Sequence, residues 1–344
     1  MYSLRQTENS VDPSFSGKTI NDGSSSADIT FVLAIRRTGS HLGTERIRSG
    51  SNVRMQDHSC DGTYVSLKRV RKSRHPYEAE VIQFFSTEPL ASDPQNHCVQ
   101  AYEVLQSPID DDRIILVMPW LRDVDDPRFY TVDSKDLRPK QGVQFMHQHR
   151  VAHRDIMDLN IMMDPRPILS EMNNPVIEEK SYDLSRPVKI YTRTKHPVRY
   201  YLVDFGLSRK YSEDEMPPLE EPIRGGVKTV PEFQDSVNPC NPFPTDIYYL
   251  GFFIRETFVQ KGPCFKFLES FVDDMVQEDP AKRPTIDEVV TRFDRIRSSL
   301  SNLKLRSRVV HYKDSNVAGF FRFFRHIYRT VGYIATGIPA IPRA

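Results

Sequence analysis

His153-Arg154-Asp155-Ile156-Met157-Asp158-Leu159-Asn160 runs straight into the apolar Ile161-Met162-Met163, and the reading of the whole chain turns on this stretch. A pattern of four fixed residues, His, Arg, Asp and a distant Asn, is expected by chance in roughly one chain of this length in several hundred at ordinary residue usage. Farther on, Tyr200-Tyr201-Leu202-Val203 reads as a strand that enters Asp204-Phe205-Gly206. Two carboxylate-bearing turns thus follow one another in the order that phosphoryl transfer uses. A transferred phosphoryl group spreads negative charge over its oxygens, so a site for it needs cations, a fixed positive side chain and a carboxylate that orients the attacking hydroxyl. Asp155 is the candidate base. Asn160 and Asp204 offer the hard oxygens that Mg²⁺ prefers, and Lys68, ending the strand Tyr64-Val65-Ser66-Leu67, is placed to reach nucleotide phosphates.

The rest of the chain is organised around these motifs. At 344 residues, with 27% charged and 38% apolar, it has room for about two structural units of ordinary size. Its four cysteines, Cys60, Cys98, Cys240 and Cys264, form no CxxC pair and no His-associated spacing, which argues against a zinc site or a disulfide framework and for a reducing compartment. The 47 basic and 46 acidic residues nearly cancel to +1, so no chain-wide binding to nucleic acid is expected. No stretch approaches the length of a membrane span, and the opening MYSLRQTENSVDPSFSG lacks the features of a secretory signal. The expected location is intracellular, cytoplasmic or nuclear.

Residues 1–28 are rich in Ser, Asn, Asp, Gly and Thr and read as a disordered segment. Strand-like runs follow at Ile29 to Ile35, Asn52 to Gln56 and Thr63 to Val70. A helix opening at Pro76 places Val81, Ile82 and Phe85 on one face, and Arg113 to Met118 reads as a strand ended by Pro119. Helical periods dominate from about residue 140, notably Asp246 to Phe258 and Cys264 to Gln277. The pattern predicts an α+β protein divided at 29–119, 120–299 and 300–344.

Over about residues 44 to 297 the chain resembles a eukaryotic-type protein kinase, and in particular the divergent kinase-like proteins abundant in mushroom-forming fungi. Val65-Ser66-Leu67-Lys68 resembles the family's lysine strand, and Thr229-Val230-Pro231-Glu232 stands where the family carries Ala-Pro-Glu. Asp246 to Gly251 and Asp279-Pro280-Ala281-Lys282-Arg283-Pro284-Thr285 resemble two later segments of the helical lobe. The resemblance implies a bilobal fold with a small antiparallel β-sheet lobe bearing one helix and a mainly helical second lobe. It also implies ATP with Mg²⁺ as cofactors and transfer of the γ-phosphate to a protein substrate, on serine or threonine before tyrosine. Asp155, Lys68 and Glu78 are then the catalytic set, Val53, Lys68, Met118, Asn160 and Asp204 line the nucleotide site, and Asn160 with Asp204 hold the metal. His153, Arg154, Phe205, Gly206, Glu232, Asp246 and Arg283 take structural or regulatory parts, with Glu232 paired to Arg283. For the helix partner of Lys68, Glu78 and Glu80 are both available. Glu78 lies three, four and seven residues before Val81, Ile82 and Phe85 and shares their inward stripe, so Glu78 is preferred.

Several residues depart from the family pattern. Met157 stands where Ser/Thr kinases carry a lysine, and Arg46-Ile47-Arg48-Ser49-Gly50-Ser51 offers a single glycine where a glycine-rich phosphate loop is expected. These departures keep a second reading open, a pseudokinase that acts as a binding scaffold. Pro139 predicts a shortened helix and a less stable helical lobe. Between Asn160 and Asp204 lies an enlarged insertion, spanning 165–199, for which a lid is one reading and a solvated loop the expected form. In the segment from Asp204 to Glu232, an anion for Arg154 is expected either from phosphorylation of Tyr211, Ser212 or Thr229 or from the acidic run Glu213-Asp214-Glu215. After residue 300, eight basic residues stand against Asp314 alone, a formal charge of +7, with Phe320, Phe321, Phe323, Phe324, Ile327 and Tyr328 among them. Residues 304–343 therefore suit an anionic membrane or an acidic partner, which would make the chain a tail-directed adaptor. Aromatic stripes are more often core, and packing back onto the helical part is the expectation taken.

Overall fold

Aliphatic residues concentrated in Val65–Arg71 and Arg113–Pro119 make these the two central strands of a sheet, since alternate side chains of each can be buried. In the computed structural model the strands run, in chain order, β1 (Thr30–Leu33), β2 (Ile35–Thr38), β3 (His41–Thr44), β4 (Val65–Arg71), β5 (Glu103–Gln106), β6 (Arg113–Pro119), β7 (Arg122–Asp123), β8 (Val151–Ala152), β9 (Ile161–Met163), β10 (Tyr200–Leu202) and β11 (Arg209–Lys210). The helices are α1 (Glu78–Phe85), α2 (Pro139–Gln148), α3 (Pro242–Ile254), α4 (Glu269–Met275), α5 (Ile286–Ser299), α6 (Asn302–Leu305) and α7 (Asn316–Ala335). The structure describes the backbone of 30–33, 35–38 and 41–44, and residues 64–341 apart from 133–138, 172, 175–176, 224–228, 235–237 and 313.

The chain is an α+β protein of small antiparallel sheets and several helices. Its largest sheet has the order β1-β4-β6-β5, with Lys68 opposite Leu116 and Ser66 opposite Met118 in the β4–β6 register. Helix α1 buries Glu78, Val81, Ile82 and Phe85, and each large apolar side chain so buried contributes about 1.5–3 kcal/mol. A three-stranded sheet, β10-β9-β7, and the β8–β11 pair carry the turns that hold the carboxylates. The helical core is built on α3, whose Ile247, Tyr249, Leu250 and Phe253 pack with Phe271, Val272 and Met275 of α4. Gly251 lets those two helices approach closely, because a Cβ there would lie 2.7 Å from Met275 Cβ.

Several boundaries differ from the sequence expectation. The strand expected over Ile29 to Ile35 is split, β1 pairing with β4 and β2 with β3. The expected strand Asn52 to Gln56 and Val53 lie outside the described residues. Helix α3 starts before Asp246, at Pro242, because the Asn241 side chain caps it by accepting from the Phe243 amide at 3.1 Å and proline suits a first helical position. It passes into a π-helical turn over Arg255–Val259, and the helix expected over Cys264 to Gln277 is a 3₁₀ segment, Pro263–Leu268, followed by α4. Pro139 is the first residue of α2.

Much of the described insertion is packed, which corrects the solvated-loop expectation there, while 182–187 are exposed. It is pinned by bridges between Leu169 and Ile190 and between Asn173 and Ser181. Tyr64 Oη donates to the Asn173 carbonyl at 2.6 Å, and the buried Arg122 pairs with Glu178 at 2.6 Å. Arg193, also buried, donates to the carbonyls of Val124 and Pro127 at 2.9 and 2.8 Å. Charged residues made the stretch read as solvated, yet Arg193 and Arg199 donate to backbone carbonyls and Glu178 pairs with Arg122 once the chain folds.

The tail also differs. Helix α7 does lie against the body, but through its polar edge. Arg325 and Arg329 sit over the Tyr130 ring at 5.8 and 5.0 Å, Arg322 pairs with Asp314 at 2.6 Å, and Tyr333 Oη shares a hydrogen bond with Thr192 Oγ1. The aromatic stripe expected to be core points to solvent.

Candidate functional site

Strand β4 and helix α1 bring Lys68 and Glu78 together, and the turn after β10 adds Asp204. Lys68 Nζ lies 2.6 Å from Glu78 Oε1 and 2.8 Å from Asp204 Oδ1. Burial alone would pull the ammonium down, but the two carboxylates outweigh it and hold its pKa above the usual lysine value. For Asp204, burial pushes the carboxyl up, and the Lys68 charge and hydrogen bond outweigh this, leaving it below the ordinary range. Its backbone is left-handed, φ 63°, and Oδ1 also accepts from the Gly206 amide at 3.1 Å. Phe205 is buried beneath α1, its ring 6.3 Å from that of Phe85 and 5.7 Å from that of His153. At Gly206 a Cβ would stand 3.0 Å from His75 Nδ1 and 3.3 Å from Glu78 Oε2, so a side chain there would press on the lysine's partner.

Asp246 organises the other carboxylate turn from below. Fully buried at the start of α3, it accepts from the backbone amides of His153 at 2.8 Å and Arg154 at 2.7 Å, and from His147 Nε2 at 3.0 Å. That clamp holds Arg154 at φ 68°, a strained region for a non-glycine residue. His153 donates from Nε2 to the Val203 carbonyl at 3.2 Å and accepts at Nδ1 from the Asp155 amide at 3.3 Å. Those roles require the neutral ring, and burial accordingly pushes its pKa down.

Asn160 donates both amide hydrogens to Asp155, to its carbonyl at 2.8 Å and to Oδ2 at 2.9 Å. Asp155 Oδ1 is enclosed and has no hydrogen-bond partner. Burial first, and the Asp204 charge second, push the Asp155 carboxyl up to about 6. A carboxyl whose pKa is raised toward neutrality is suited to taking a proton from an incoming hydroxyl.

The donor set fits Mg²⁺. With its amide hydrogens committed to Asp155, Asn160 retains Oδ1, and Asp204, half-exposed, retains Oδ2. Mg²⁺ typically takes one or two such protein oxygens and completes its shell with water and phosphate. Among the described residues no group of three or more His, Cys, Asp and Glu side chains forms a closed metal cage.

Glu232 and Arg283 meet in a bidentate pair, 2.8 and 2.7 Å, and Thr245 Oγ1 donates to Glu232 Oε1 at 2.8 Å. Met118 stands one residue before the end of β6, on the same sheet as Lys68. Met157 is half-buried and contributes no cation.

Glu220 was not singled out in the sequence. It pairs with Arg154 at 3.3 Å and with Arg209 at 2.7 Å, supplying the anion expected from phosphorylation or from residues 213–215. Glu215 instead accepts from the Ser212 amide and hydroxyl at 2.7 and 2.8 Å, closing a local turn that keeps it away from Arg154. Tyr211 is buried, which removes it as an accessible phosphorylation site in this conformation, whereas Ser212 and Thr229 are exposed. His75, whose Nδ1 donates to the Gly206 carbonyl at 2.8 Å, was likewise missed; neither residue sits in a local motif or on a periodic face. A scan against protein-family models finds no match for this chain, and a search of curated proteins finds none.

Proposed function

We propose that the protein is an ATP- and Mg²⁺-dependent protein kinase with a bilobal kinase-like fold. The four-stranded sheet with α1 is the small lobe, and the chain from α2 onward builds the larger, helical one. The observation that carries this reading is Lys68 Nζ held between Glu78 Oε1 and Asp204 Oδ1 at 2.6 and 2.8 Å. A lysine fixed this way is positioned to anchor phosphate oxygens, with Glu78 restraining it on one side. Asp155 takes the proton of the acceptor hydroxyl, and Asn160 keeps that carboxylate oriented by donating to Oδ2 at 2.9 Å. Asn160 Oδ1 and Asp204 would hold Mg²⁺, which with ATP supplies the transferring phosphoryl group and neutralises its charge. The Glu232–Arg283 pair supports a protein acceptor, because it braces the segment on which such families lay a peptide; serine or threonine before tyrosine follows from the resemblance alone.

Met157 favours a second reading, a pseudokinase scaffold, since no cation stands two residues after Asp155 to offset the transferring charge. One experiment separates them: transfer of γ-phosphate from ATP with Mg²⁺ to the protein itself and to a generic protein substrate, comparing wild type with Asp155→Asn. Transfer abolished by the substitution supports the kinase. Equal signal in both proteins, or none in either, supports the scaffold.

A further inference from the structure

We propose that α7 docks the protein on an anionic lipid surface. At 3.6 residues per turn, Phe320, Phe324, Ile327, Val331 and Ile334 line one stripe of the helix. Val317, Phe321 and Tyr328 widen it on one side and Phe323 on the other, giving an apolar arc of roughly 160°. Every one of these side chains is exposed, Phe321 at 69% and Tyr328 at 82%. The helix is held to the body by its opposite edge, where Arg325, Arg329 and Tyr333 make the contacts, and Arg322 on the same edge pairs with Asp314 just before the helix. Docking to the body therefore uses the polar face and leaves the apolar one turned outward, the reverse of a helix that packs on a core.

Two properties select the occupant. The arc is far wider than the two-position seam along which a second copy of the helix would pair. The helix also carries three arginines and no acidic residue, within a tail of formal charge +7. A helix is about 10–12 Å across with its side chains, so the arginine edge stands about one Debye length above a headgroup plane that the phenylalanines enter. At that height the attraction of anionic lipid for the arginines is screened but still favours an anionic over a neutral surface, most at low salt. Among the described residues no helix is long and apolar enough to cross a membrane, in keeping with a helix that lies in the interface plane.

The test sediments the full-length protein with vesicles of phosphatidylcholine and phosphatidylserine in equal parts, and with vesicles of phosphatidylcholine alone, at low and raised salt. Partition into the anionic vesicles is expected to exceed that into neutral ones about tenfold or more and to weaken with salt. Phe320→Ser combined with Phe324→Ser, both at exposed positions, is expected to reduce binding about tenfold or more. In the unsubstituted protein, amide exchange over 316–335 is expected to slow on anionic vesicles, a readout independent of how the variant folds. Asp155→Asn is expected to bind as wild type, which separates this inference from the phosphotransfer reading. Absence of binding, equal partition into both vesicle types, or binding and exchange unchanged by the double substitution and by lipid would overturn it. So would a concentration-dependent dimer that forms without lipid and is lost in the double variant.

Discussion

Arg154 and Glu220 form an ion pair at 3.3 Å, and Arg209 reaches the other oxygen of the same carboxylate at 2.7 Å. The segment after Asp204 is thus tied to the Asp155 turn by an anion built into the chain. Glu220→Gln leaves two guanidinium groups without that anion and is expected to lower stability by about 1–3 kcal/mol, measured by urea unfolding. Phosphatase treatment of the wild type is expected to leave phosphotransfer unchanged. A transfer rate that collapses after phosphatase treatment would show that Glu220 does not substitute for a phosphate.

The carboxyl of Asp155 titrates near 6 in the folded protein and near 3.9 when unfolded. A raised carboxylate pKa means that the folded state binds more protons between those values, so this group destabilises the fold as pH rises from about 4 to 6. Asp155→Asn is expected to be more stable than wild type at pH 7, by up to about 3 kcal/mol, with the difference vanishing near pH 4. Phosphotransfer by the wild type is expected to rise through pH 6 as the base ionises. Thermal unfolding of both proteins across this range checks the first expectation and a pH–rate profile the second; equal melting temperatures at pH 7 would refute the first.

Glu232 behaves in the opposite sense. Burial raises its carboxyl, but the bidentate Arg283 outweighs that and leaves it below the ordinary glutamate value. Its contribution is complete above about pH 4.3 and is lost as pH falls through the lowered folded value. Glu232→Gln is expected to be less stable than wild type at neutral pH, with the gap narrowing below about pH 4. Arg283→Met, which strands Glu232 as an enclosed charge, is expected to cost about 3–5 kcal/mol at pH 7. Denaturant titrations at several pH values decide both; a gap that widens in acid would contradict the assignment.

Local order in the sequence made much of the site legible. Asp155 with Asn160, and Asp204 with Phe205 and Gly206, each belong to one short turn, so their relative placement follows from a few backbone dihedrals. Glu78 was separable from Glu80 because helical spacing puts it on the face of Val81, Ile82 and Phe85, and the structure buries all four. Glu220 carried no such signal. Its role depends on two arginines, one of them 66 residues away in the chain, meeting after the chain has folded.

The amino-acid sequence by itself determined the α+β layout, the carboxylate turns, the Lys68 strand and the amphipathic character of α7, because hydrophobic period and turn chemistry act over a few residues. Only the tertiary structure decided which carboxylate meets Arg154, that much of the described 165–199 insertion packs, and that α7 lays its polar edge on the body and its phenylalanines toward solvent. Periodicity shows that a helix has two faces. Which face is covered depends on what distant chain segments offer it, here the Tyr130 ring and Thr192.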